Sequence, residues 1–235
     1  MFWEVYALTL TVIVVYLVYI SLRLLKTKKS VEFDEIKAQK ITIVEPNGKP
    51  VLIIANTKNF PPLMIDGKEY PGIRSGNIEE IGKGMIFYNN DGDEMGGFVW
   101  GSDKSEDEIS QWAMFTIDGY KQNEVFRLLF DQTGNKKNIS IIAYDQPGKS
   151  LKPVVEKLSK IVSIKDSAQR EKERDKFNEW LKKEYPNTYR ERFYIGYEDS
   201  ISFIQLYDKE GKPKLRLYVD ENGEPKLEFY DKKEK

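Results

Sequence analysis

Carboxylates are the only abundant proton-transfer groups in this chain: its 235 residues include 38 Asp and Glu but no histidine and no cysteine. The missing histidine removes the commonest general base, the commonest metal ligand and the Ser-His-Asp arrangement. The missing cysteine removes disulfides, thiolate catalysis and zinc–thiolate sites. A glycosidase needs only two carboxyl groups, about 5 to 10 Å apart across a cleft. The acids to weigh are therefore Asp91, Asp93 and Glu94, and the group Asp103, Glu106, Asp107 and Glu108. Both groups fall in predicted turns, where acidic residues belong anyway, and Asp118 before Gly119 also reads as a turn. Catalysis by any pair requires a pocket that perturbs one member.

Metal and phosphate chemistry find little more. Asn89, Asp91, Asp93 and Glu94 alternate like a cation loop, as do Asp220, Asn222 and Glu224, yet neither reproduces the twelve-residue loop with its closing bidentate Glu. Gly82-Lys83-Gly84 is too short for a phosphate loop. Trp100 and Trp112 could stack on a sugar or a partner, but on apolar-patterned strands they read as core. No catalytic residue, metal site or cofactor is expected. One candidate surface remains, in the Pro- and Gly-rich stretch 56–84. There Asp66, Lys68, Glu69, Tyr70 and Arg74 set both charge signs beside an aromatic ring on a constrained loop. Such residues could meet a ligand or partner, although turn and surface roles explain them more often.

The elements that must carry these residues begin with an anchor. Val5 to Leu22 is uncharged, and at 1.5 Å per residue it reaches about 27 Å, close to bilayer hydrocarbon thickness. Thr9 and Thr11 are tolerable there because a helical hydroxyl bonds its own backbone. Trp3, Tyr6, Tyr16 and Tyr19 suit interfacial belts. A cleaved signal peptide would open with Lys or Arg; this segment opens Met1-Phe2-Trp3-Glu4, with its basic cluster after the apolar run. Arg23, Lys26, Lys28 and Lys29 then place the following chain in the cytoplasm by the positive-inside bias. The reading is a single-pass inner-membrane protein that meets lipid through its helix. Its charge is balanced, at −1 overall, so no field draws it to nucleic acid.

Residues 1–25 thus form the transmembrane anchor, 26–40 a basic juxtamembrane linker, and 41–235 a β-rich soluble domain with a helical insertion over about 153–185. The fold class is mainly β (α+β): a transmembrane helix, then antiparallel hairpins in a meander with one or two inserted helices. The basis is a repeated local pattern in which an apolar-alternating run meets an acidic or amide residue, two more residues, and glycine. It occurs at Glu45–Gly48, Asn89–Gly92, Asp131–Gly134, Asp208–Gly211 and Asp220–Gly223, and again at Asp145–Gly148, where a helix follows. Asp or Asn caps a type I turn, and glycine takes the left-handed conformation that returns the strand. Gly96-Gly97 reads as a bulge or close backbone approach. Pro153 starts a helix to about Ile161, and a second runs from about Asp166 to Tyr185, docked through Phe177, Trp180 and Leu181.

Several of these segments together resemble a known group. Phe33–Ile36 followed by Ile41–Gly48, then Ile65–Pro71, Met85–Gly92, Glu94–Gly97 and the closing stretch Asp208–Leu227, are similar to an uncharacterised family of bacterial single-pass membrane-anchored proteins with a β-rich domain. The resemblance implies that architecture and brings no activity, ligand or catalytic residue with it.

The functional expectation is a membrane-tethered, non-enzymatic interaction or scaffold module with a protein partner. The alternative is a membrane-bound, carboxylate-dependent hydrolase of envelope glycans, which predicts a cleft with facing carboxylates, one of raised pKa. An assembly subunit would instead show an exposed apolar patch or strand edge.

Overall fold

The computed structural model of the chain describes residues 2–26, 32–74, 82–104, 108–186, 188–198 and 200–230. They fall into two compact units, Met1–Ala38 and Gln39–Lys235. The first contains helix α1 (Phe2–Lys26). Its stretch Phe2–Arg23 is apolar and uncovered, and is long and apolar enough to cross a membrane. A core helix of a soluble fold would be covered by other elements; this one is bare. Thr9 and Thr11 donate their hydroxyls to the carbonyls of Val5 and Ala7 at 2.8 and 2.9 Å, hiding two polar groups along the run.

The second unit is built on one large antiparallel sheet, mainly β as expected. Among the described residues, eleven strands follow one another almost in chain order. They are β1 (Lys40–Val44), β2 (Pro50–Ala55), β5 (Lys83–Tyr88), β6 (Glu94–Lys104), β7 (Ile109–Asp118), β8 (Glu124–Thr133) and β9 (Lys136–Asp145). The meander ends with β10 (Arg190–Glu198), β11 (Ile201–Tyr207), β12 (Pro213–Val219) and β13 (Pro225–Phe229). Two excursions leave it. A small hairpin, β3 (Leu63–Ile65) with β4 (Lys68–Tyr70), sits between β2 and β5. Helices α2 (Lys152–Val162) and α3 (Ser167–Glu184) sit between β9 and β10.

Local turn chemistry explains the meander. The amide of Gly211 donates to Asp208 O and that of Gly223 to Asp220 O, both at 3.0 Å, while the Asp208 and Asp220 carboxylates accept from the amides two residues on at 2.9 Å. The Asp131–Gly134 pattern is out of phase with the structure. Thr133 pairs with Lys136, so the turn is Gly134-Asn135 and Asp131 stays inside β8. A two-residue turn joins these strands because their alternation, and not the acidic residue, sets the register. Gly96-Gly97 is a close approach as expected: a Cβ at Gly96 would stand 2.2 Å from Thr116 O, and one at Gly97 2.5 Å from Met85 O.

One cluster joins the small hairpin to a face of the sheet, and two more join the hairpin and the helices to one another. Met64 of the small hairpin packs with Ile53, Ile86, Tyr88 and Val99, beside Phe60, Trp112 and Met114. Ile65 and Tyr70 meet Val155 of α2. The two helices join through Val154, Ile161, Phe177 and Tyr185. Phe177 is the buried residue of α3, with Trp180 and Leu181 half-buried beside it, while the highly charged first half of the helix is solvated, as the sequence suggests. Asp166 caps it by accepting from the Gln169 amide at 2.6 Å.

Candidate functional site

Strand pairing decides which side chains share a face, and here it produces two very different faces. One carries Ile53, Ile86, Val99, Met114 and Arg127 and lies under the small hairpin and α2. The other carries a cross-strand row with one apolar residue from every strand. The row starts Ile41, Ile54, Met85, Phe98 over β1, β2, β5 and β6. It continues through Phe115, Leu128 and Ile141 over β7 to β9. It ends Ile195, Ile204, Leu217 and Leu227 over β10 to β13.

A second row flanks it on one side. Ile43, Leu52 and Phe87 open it; Gly96, Ile117, Phe126 and Ala143 follow; Phe193, Leu206, Leu215 and Phe229 close it. Trp100, Ala113, Phe130, Ile139 and Tyr197 form a third row on the other side. Neither of the first two rows contains a polar side chain. No described element of this unit packs over them: Leu128 is 42% exposed, Leu217 45% and Leu227 55%. The ladder hydrogen bonds of a sheet run in its plane, so this face offers little beyond hydrocarbon and aromatic rings. Trp100 lies here, 5.4 Å from Phe98 ring to ring, and not in the covered core expected for it, whereas Trp112 packs beneath the hairpin.

Under the helical cover lies a cavity of about 580 Å³. Its apolar wall includes Leu63, Ile73, Met114, Val154 and Leu158; its polar wall includes Asp118, Glu124, Arg127, Glu94, Arg74 and Tyr189. Asp118 ends β7 opposite Glu124, the first residue of β8. Burial pushes its carboxyl up to about 8, helped by the Glu94 and Glu124 charges and opposed by Arg74. The neighbouring acids are each occupied by a cation: Glu94 by Arg74, and Glu124 by Arg127. By sequence Asp118 is an ordinary turn acid before Gly119. It lines the same cavity as Val154, Val155 and Leu158 of α2, more than thirty positions later in the chain, so no local pattern signals its surroundings.

The sequence-predicted loop residues separate. The Asp66 carboxylate takes the ammonium groups of Lys121 and, at 2.6 Å, Lys152, residues 55 and 86 positions away. Hydrogen bonds from these two lysines hold the Asp66 carboxyl down at about 2. Its amide donates to Asp93 Oδ1 at 2.5 Å. Lys68 and Glu69 are exposed on β4. Tyr70 is 2% exposed and presents no ring to a partner, because β4 turns it inward against Ile65 and Val155. Arg74 is buried against Glu94. The acids weighed as a cation loop are likewise engaged: Asp93 accepts from Asp66, Glu94 from Arg74, and Asp91 from the Tyr120 hydroxyl at 2.7 Å.

On α1, Trp3, Tyr6 and Tyr19 are exposed, with Trp3 and Tyr6 edge to face at 6.3 Å. Arg23 lies in the helix's last turn. Lys26 ends the helix with its side chain outside the described part, and Lys28 and Lys29 lie outside the described residues.

The open face did have a signal in the sequence. Phe126, Leu128 and Phe130, then Ile139, Ile141 and Ala143, then Leu215, Leu217 and Val219 each keep one parity wholly apolar. Alternation of this kind is normally taken as the core side of a strand, and here it marks the uncovered side. No protein-family model, curated protein or solved structure matches the chain, so its function is read from this geometry.

Proposed function

We propose that this chain is a membrane-tethered, non-enzymatic interaction module, held to lipid by α1 and engaging a protein partner through the open face of its sheet. The supporting observation is the uninterrupted apolar row from Ile41 to Leu227. Soluble monomers rarely expose apolar patches beyond about 300 to 600 Å². Eleven strands about 4.8 Å apart, each crossed by two apolar rows and five of them by a third, make a face of roughly 900 Å². The basic residues Arg23, Lys26, Lys28 and Lys29 support a single-pass inner-membrane topology with the sheet in the cytoplasm. The balanced charge gives nucleic acid no purchase. Membership of the bacterial membrane-anchored family belongs to the same proposal and rests on the turn motifs alone.

Because the chain has no cysteine, single cysteines test the reading cleanly. In inverted membrane vesicles a water-soluble maleimide should label Lys160→Cys, on an exposed helical position, far faster than Leu128→Cys on the open face. Equal labelling would remove the docking role. Protease digestion in inverted vesicles, with protection in spheroplasts, checks the orientation; the reverse pattern moves the domain outside.

A second reading draws on the pocket. A carboxyl pushed up to about 8 stays protonated at neutral pH, which suits a general acid in a hydrolase of envelope glycans. It comes second because both neighbouring acids are already paired with arginines. Release of reducing sugar from cell-wall fragments, lost in Asp118→Asn, is its expected result; a parent chain that releases none sinks it.

A further inference from the structure

We infer that the open sheet face closes on a second copy of this chain, the two sheets packing face to face as halves of a sandwich. This rests on the interaction-module reading and names its partner.

Area comes first. Covering about 900 Å² on each of two copies matches the roughly 800 Å² per partner of a stable, specific interface.

Chemistry comes next. A face that meets its own copy must not oppose like charges, and the two principal rows hold no charge at all. The lysines that share this side, Lys83, Lys104 and Lys137, lie at the strand ends near Trp100, Ile109 and Gln132. There they stay in water as a polar rim. The rings of Phe98, Trp100, Phe115 and Phe126 lie within 5.4 to 6.4 Å of a ring neighbour on the same face, the kind of aromatic cluster that carries interface energy.

Shape separates a second copy from a bilayer. Neighbouring strands rotate by about 20 to 25°, so ten steps turn the sheet through roughly 200°. A planar membrane surface meets only a few strands of such a face. Another sheet of the same twist follows it at about 10 Å separation, with strands within about 30° of alignment.

Symmetry supplies the test. In a two-fold interface the residue nearest the axis lies beside its own copy. Leu128 is on the sixth of the eleven strands and in the middle apolar row. Full-length Leu128→Cys, oxidised in native membranes, should form a disulfide-linked species of twice the chain mass, and Lys160→Cys should not. Leu128→Asp, whose site is exposed in the single chain, should convert the purified full-length protein from dimer to monomer by light scattering with its circular dichroism unchanged. If Leu128→Cys resists maleimide yet never links to itself and the parent chain is monomeric, the second copy is wrong and the interaction module stands with another partner. If Leu128→Cys reacts as fast as Lys160→Cys, both fall.

Discussion

The Arg74 guanidinium grips the Glu94 carboxylate with two prongs, Nη1 to Oε1 at 2.8 Å and Nη2 to Oε2 at 2.6 Å, and each side chain is 9% exposed. The same guanidinium donates to Pro61 O at 3.1 Å and Pro62 O at 3.3 Å. One cation therefore fastens the segment leading into β3 onto the first residue of β6, at the edge of the cavity.

Removing one partner of such a pair leaves the other charge buried. Arg74→Met should cost about 3 to 5 kcal/mol, and Arg74→Met with Glu94→Met should recover much of that loss. Denaturant unfolding of both variants checks it. Additive losses in the double variant would show that the two side chains do not act as a pair.

Asp118 makes stability depend on pH in an unusual direction. Its folded pKa, about 8, lies above the ordinary 3.8, so the fold prefers the neutral acid. That preference is fully present below about pH 4 and lost as pH rises through about 8. Asp118→Asn keeps the neutral shape, so its melting temperature relative to the parent should climb between pH 5 and pH 9. A difference that stays flat across this range would mean the carboxyl is not desolvated in the folded chain.

Asp66 acts with the opposite sign. Lys121 and Lys152 lower its pKa from 3.8 to about 2, so its contribution is present above about pH 4 and lost as pH falls through about 2. Asp66→Asn should flatten the stability curve over that acid window alone. The variant should also loosen the small hairpin from α2, read as faster amide exchange in β3 and β4.

Gly96 leaves no room for a side chain. Its φ is 117°, and a Cβ there would lie 2.2 Å from Thr116 O. Gly96→Ala should destabilise by more than the roughly 1 kcal/mol of an ordinary Gly-to-Ala mismatch, because the β6–β7 ladder must open. A neutral result in thermal unfolding would mean the strands are further apart than described.

The apolar helix α1 predicts its own biochemistry. The full chain should remain in the membrane pellet after alkaline carbonate extraction, whereas the chain lacking residues 2–26 should not require detergent to leave it. Recovery of the full chain in the carbonate supernatant would refute membrane insertion by α1.

What was written in the sequence was local. Turns at Asp208–Gly211 and Asp220–Gly223, the helix capped by Asp166, and the bare apolar run of α1 each depend on residues within one or two turns of chain, where side-chain and backbone chemistry act directly. The alternation of Leu215, Leu217 and Val219 was legible too, but not whether that side would be covered. Coverage depends on where α2 and the small hairpin dock, through contacts such as Asp66 with Lys152 that span 86 residues. The same long-range packing buried Tyr70 and Arg74 and gave Asp118 its raised pKa, whereas the Asp131 turn was shifted by the pairing of its own two strands. Periodicity tells which side chains point together. Only tertiary packing decides which of the two sides is covered by the chain's own elements and which stays open.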